Sequence, residues 1–90
     1  MTGTVIVRHP VSDYDAWHVV YEEVGALRAQ HGCTADRVLR LPTDANDVLV
    51  IHEFPTVENA QAFADDPALS SAMQRAGVAG APRIEIFAGT

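Results

Sequence analysis

Apolar residues alternate with their neighbours in two short runs, VIVRH at 5–9 and VLVIH at 48–52, and recur at helical spacing in the stretches that follow. Period two marks a strand and a spacing of three to four marks a helix, so each run predicts a strand feeding a helix. Ser12, with Asp15 three residues on, is the expected N-cap of a helix that runs to about His31, where Gly32 stops it. Trp17, Val20, Tyr21, Val24 and Leu27 share one face of that helix. Residues 33–41 and 47–54 read as strands joined by PTDAN, whose Pro42, Asp44 and Asn46 are turn formers. Thr56 caps a second helix through Phe63, Pro67 starts a third through about Ala76, and RIEIF at 83–87 is a last strand.

The order β-α-β-β-α-β is a split β-α-β unit used twice. It predicts an α+β, ferredoxin-like sandwich with a four-stranded antiparallel sheet, formed as one domain over residues 1–90. The echo of VIVRH in VLVIH then has a structural source in the fold's internal pseudo-twofold. The echoed strands are expected to be the two internal ones, adjacent and running the same way, so that His9 and His52 fall at one end of the sheet as near neighbours. Alternation puts Val5, Val7 and His9 on one side, with Val48, Val50, His52 and Phe54 beside them.

The opposite side carries Ile6, Leu49 and Ile51, equally apolar, and helices connected in this way cover only one side. A second copy of the same sheet is the natural cover. Burying about 500 Å² of apolar surface per subunit at ~25 cal/mol per Å² would gain on the order of 12 kcal/mol before association costs. A homodimer is expected. With 90 residues, a single core buries only about 60–65% of the unfolded chain's surface, which makes such help useful.

Composition narrows the partners further. The chain is 48% hydrophobic and 20% charged, the range of ordinary globular domains. Its net charge of −6 would repel a phosphate backbone, so nucleic acid is not an expected partner. Cys33 is the only cysteine, which excludes an internal disulfide, and MTGTVIVRHP has neither a basic leader nor a spanning stretch. A soluble, cytoplasmic protein without membrane contact is expected.

The strand VIVRHPV leading into DYDAW, followed by VLVIHEFPTVENAQAFADDPAL, resembles the dimeric α/β-barrel proteins of the antibiotic-biosynthesis-monooxygenase type over nearly the whole chain. In both, an apolar strand ends on an aromatic, a helix follows, and an Asp-Pro starts the next turn. The resemblance implies two ferredoxin-like subunits packed sheet to sheet. It also implies a pocket between each sheet and its helices, and chemistry on hydrophobic, polyketide-like metabolites without metal, flavin or other cofactor. Monooxygenases, cyclases, isomerases, haem-degrading enzymes and proteins without known activity all share that architecture, so the fold leaves the reaction open. The haem-degrading branch closes its third strand on tryptophan and follows with a histidine. Phe54 and Met73 stand there in this chain, which disfavours haem degradation.

An oxygenase that activates oxygen through the substrate's own carbanion must remove a proton and hold the resulting anion. His9 and His52 are the candidate catalytic residues, and as neighbours each would lower the other's proton affinity. Packing each ring at the end of its strand beside Trp17 is the structural alternative. Trp17 and Tyr21, with Tyr14 one turn earlier, form an aromatic stripe that serves as core or as the wall for a flat substrate; Phe54 and Met73 complete the candidate substrate-binding set. His18 and His31 read as surface residues, the latter suited to a helix terminus. Two histidines lack a third metal ligand, since Glu53 points to the other face, so no metal site is expected. Arg8, Arg37, Arg40 and Arg83 with Asp36, Glu53 and Glu85 are candidate register-setting ion pairs, and AGVAGAP at 76–82 is a connecting loop or a gate.

Overall fold

The computed structural model describes residues 1–90 and contains eight elements: β1 (Gly3–Pro10), α1 (Tyr14–Glu23), α2 (Gly25–Gln30), β2 (Ala35–Leu41), β3 (Asp44–Phe54), α3 (Val57–Asp65), α4 (Pro67–Arg75) and β4 (Arg83–Ala88). The sheet order is β2-β3-β1-β4 and every pairing is antiparallel. This is the expected ferredoxin-like α+β arrangement.

One expected relation is reversed. β1 and β3 are adjacent, as the echo implied, but they run in opposite directions, with His9 opposite Val48 and Val5 opposite His52. The crossover through α1 and α2 returns the chain parallel to β1, and the β2–β3 hairpin then turns it once more before β3 slots in between. Each echoed strand still feeds a helix, but from opposite ends of the sheet. His9 and His52 therefore lie four register positions apart, roughly 14 Å along the strands at ~3.4 Å per residue.

The shared face is as expected. Val5, Val7, His9, Val48, Val50, His52 and Phe54 are all buried beneath the helices, each 3% exposed or less. Gly3 lets α3 come down onto β1, since a Cβ there would stand 2.7 Å from the Thr56 carbonyl oxygen and 2.8 Å from the Ala60 Cβ. That close approach seats Ala60 and Phe63 against Val5 and Phe54 in one core cluster; Trp17, Tyr21, Val48 and Val50 form the other.

Several boundaries differ from the sequence reading. Asp13, not Ser12, caps α1 by accepting from the Asp15 amide, while the Ser12 hydroxyl donates to the Gly77 carbonyl. The single expected helix is two, broken at Val24, where a glycine follows and weakens the continuous path. Gly32, at φ +82°, ends α2 in the left-handed conformation typical of a helix stop. The hairpin turns at Pro42 and Thr43, and β3 carries the extra residues as a bulge, since Arg40 pairs with Val48 but Leu41 with Asp44. Within that bulge, Asn46 accepts from the Tyr14 amide and fixes the hairpin to the start of α1. Thr56 caps α3, and Asp66 caps α4 ahead of Pro67.

Candidate functional site

Between the sheet and the helices lies a cavity of about 40 Å³ lined by twelve residues, ten of them hydrophobic. The two polar ones are His9 and His52. Val7 and Val50 form the floor between them; Trp17 and Tyr21 of α1 stand on one side, and Leu69 and Met73 of α4 on another. Strand alternation aims both imidazoles inward, and the antiparallel register places them at opposite ends, so they are not the neighbouring pair expected from the sequence.

A ladder of rings connects the two ends. His9 meets Trp17 edge-on at 5.7 Å, Trp17 stacks on Tyr21 at 5.0 Å, and Tyr21 lies 6.2 Å from His52. Such pairs orient rings through their quadrupoles as well as burying area. Phe63 closes the His52 end at 5.0 Å.

Neither ring nitrogen of His9 has a hydrogen-bond partner, and Nδ1 of His52 has none either, although all three atoms are buried. Buried polar atoms are paired as a rule, so three orphans facing one apolar space stand out. Burial pushes the proton affinity of His9 down, with Asp47 partly opposing, and pushes His52 down to about 4, with Arg28 adding to the effect and Asp36 opposing it. Burial and surrounding charges cause both shifts. The mutual repulsion expected for neighbouring imidazoles does not enter. At neutral pH both rings are uncharged, each with one nitrogen lone pair free to accept a proton.

Not every expected site residue reaches the cavity. Phe54 lies two positions beyond His52 on the same face, but at that end α3 comes down on the sheet and Phe54 packs with Phe63 at 5.2 Å inside the solid core. Tyr14 opens α1 ahead of the cavity, tilted against Trp17 and covered by the Arg40 guanidinium. His18 sits at the surface, within 3.4 Å of Glu22, as expected. His31 does not: it is half-buried, and its Nε2 meets the Asp66 carboxylate at 2.8 Å, where Asp66 also caps α4. Within the chain, Arg8 pairs with Asp47 and Arg83 with Glu85. No cluster of three His, Cys, Asp or Glu side chains is placed to hold a metal ion. The 76–82 segment is pinned at its start by hydrogen bonds from Ser12 to Gly77 and from Ala79 to Pro10.

Residues that the sequence reading passed over are Arg28 and Asp36 as neighbours of the site. The Tyr21 hydroxyl donates to Asp36 at 2.5 Å, and the Arg28 guanidinium lies 3.9 Å over the Tyr21 ring while donating to the Tyr21 carbonyl. Asp36 was detectable in principle, since alternation in β2 puts it on the inner face opposite His52. Arg28 was not, because its place depends on the break between α1 and α2.

No family model matches the chain, and no curated protein matches its sequence. Solved structures do match in fold. SnoaB, a cofactor-independent oxygenase from Streptomyces nogalater, superposes with a TM-score of 0.79 at 15% identity, over 99% of this chain and 93% of that one. A provisionally assigned antibiotic biosynthesis monooxygenase from Caulobacter crescentus CB15 gives 0.77 at 18% identity, over 99% and 90%. One from Bordetella bronchiseptica, equally provisional, gives 0.78 at 13%, over 99% and 97%. No helix is long and apolar enough to cross a membrane. At these identities the likeness establishes architecture: the chain has the ferredoxin-like α+β fold of the antibiotic biosynthesis monooxygenase-like proteins.

Proposed function

We propose that this chain is a cofactor-independent enzyme of polyketide-like secondary metabolism. It takes a proton from a hydrophobic, enolisable small molecule and acts as a monooxygenase or as a cyclase or isomerase. The observation that carries the reading is the apolar cavity with two buried imidazoles at its ends, three of whose four ring nitrogens are buried without a hydrogen-bond partner. An uncharged imidazole is a competent base for a phenol or activated carbon acid, and the apolar walls strengthen its hydrogen bonds to the anion that forms. The shared fold with SnoaB, named a cofactor-independent oxygenase, supports the oxygenase version.

His9 and His52 are the catalytic groups in this proposal; Trp17, Tyr21 and Met73 hold the substrate, with Tyr14 and Phe54 as a supporting layer. A cavity of about 40 Å³ takes a few water-sized molecules, on the measure that one water needs roughly 10–15 Å³. A ring substrate thus requires the α4 wall to yield, and Met73, an unbranched side chain, is the part best able to repack. The working unit is a homodimer closed over the outer sheet face, acting in the cytoplasm, where Cys33 stays reduced.

The same small volume favours a second reading, a ligand-binding or structural homodimer without turnover. A mass-spectrometric screen with polyketide-like phenols and polyenes, run with and without oxygen, separates the two. Oxygen-dependent mass gain marks the monooxygenase and an isomeric product the cyclase. Binding without conversion, or no binding, overturns the enzymatic reading.

A further inference from the structure

The two ends of the cavity differ in the charges set around them. Three elements bring polar groups to His52: Asp36 from β2, Tyr21 from α1 and Arg28 from α2. Val5 from β1 adds an uncharged backbone hydrogen bond that opposes the depression, and Phe63 from α3 adds only an apolar ring. Asp36 is exposed to water and spends an oxygen on the Tyr21 hydroxyl, whereas Arg28 is half-buried on an aromatic face, where its field is less screened. Around His9 the order is inverted. Trp17 is uncharged, and the nearby charged pair is Asp47 with Arg8, joined by two hydrogen bonds.

We infer that Arg28, seated on Tyr21, polarises the cavity. The His52 end receives the ligand's anionic oxygen, with His52 kept uncharged as a hydrogen-bond donor, and His9 at the far end accepts the ligand's proton. The inference rests on the proposed function and divides its chemistry between the two histidines. A C–H or O–H bond at the His9 end of a conjugated ligand breaks, its proton goes to His9, and the electron pair delocalises along the ligand onto an oxygen at its other end, beside His52. The products are an imidazolium and an enolate, with charge conserved. Arg28 does not line the cavity, so it is a positioning residue that acts through Tyr21 and through its field. The depressed proton affinity of His52, to which Arg28 contributes more than Asp36 opposes, agrees with this division.

The probe is 4-nitrophenol, whose anion absorbs visible light and whose neutral form does not, with nitrobenzene as the uncharged control. The wild-type chain is expected to bind the dye preferentially as its anion. Arg28→Met should lose at least about tenfold in affinity for the anion while nitrobenzene affinity stays within about twofold, and Arg28→Lys should restore part of the loss. Nitrogen NMR of the two histidines provides a ligand-free readout. His52 should stay uncharged in the wild type down to about pH 5 and take up its proton at higher pH in Arg28→Met, with His9 unchanged. If Arg28→Met changes neither the dye's ionisation nor the titration of His52, the inference is wrong, although dye binding would leave the proposed function standing. If the wild type binds neither compound, the proposed function falls and takes the inference with it. Should Arg28→Met fail to fold, Arg28→Lys carries both readouts, since a point charge lacks the planar seat on Tyr21.

Discussion

The two faces of one sheet, built from alternate residues of the same strands, end in opposite environments. On the inner face Val5 and Val48 are fully buried, and even the two histidines are only 3% exposed. On the outer face Ile6 and Ile51 sit directly opposite one another and remain partly open, with Leu39, Leu41 and Phe87 more exposed still. Charged residues flank that apolar centre: Arg37 beside Ile51 and Glu85 beside Ile6 in one row, Arg8 and Arg83 in the next. The difference shows that hydrophobicity alone does not decide burial. The crossovers put all four helices on one side, and the other side keeps an apolar centre partly open to solvent.

Four substitutions or conditions test that contrast. The largest effect belongs to the inner face: Phe63→Ala, at a ring that touches Phe54, His31 and His52, should cost about 3–5 kcal/mol in denaturant unfolding. A loss below about 1 kcal/mol would mean the inner face is not the stabilising core.

Acid should act on the same face. The folded chain holds His52 uncharged until about pH 4, whereas the unfolded chain protonates it near 6.5. The unfolded state therefore takes up the proton first, and stability, complete above about pH 6.5, declines as pH falls toward 4, by roughly 3 kcal/mol from this residue. The paired carboxylates Asp47 and Asp66, held below their usual range by Arg8 and His31, add to the loss at still lower pH. Melting curves of His52→Ala against wild type between pH 7 and 4 read the contribution: the variant's profile should be flatter. At pH 7 the same variant should melt nearly as the wild type does, yet lose at least about tenfold in turnover once a substrate is in hand. Equal losses in both would place His52 in the core alone.

On the outer face the expected change is in association rather than folding. Ile51→Arg, at the centre of the exposed apolar rows, should convert the proposed dimer into a folded monomer by light scattering on a sizing column, with little change in far-ultraviolet dichroism. A mass that does not change would show that this face is not the interface. The smallest effect is expected at the margin, where Phe87→Ser should weaken association by about 1 kcal/mol and leave the monomer's stability within about 0.5 kcal/mol.

Much of the fold was legible because it depends on local chemistry. Thr56 and Pro67 mark helix starts that the structure repeats, Gly32 marks a stop, and alternation in VIVRH and VLVIH separates the two faces correctly. The missed break at Val24 has a local cause too weak to read, since Leu27 continues the apolar spacing across it. The candidate site was legible in part. His9, His52, Trp17, Tyr21 and Met73 do line one cavity, because side-chain direction follows from period two in strands and from the apolar stripe in helices. Phe54 and Tyr14 lie outside it because the position of α3 over the sheet, and of the hairpin beside α1, depends on contacts distant in sequence.

The amino-acid pattern by itself determined which residues face the helices, the order of the elements and the presence of two inward-facing imidazoles. Only the tertiary structure decided that β1 and β3 run in opposite directions, which separates those imidazoles, and that α2 turns Arg28 back over Tyr21. The physical reason is that alternation and helical spacing are symmetric to chain direction. They report which side a residue faces, while direction and the return of a side chain across a helix break are set by long-range pairing and packing.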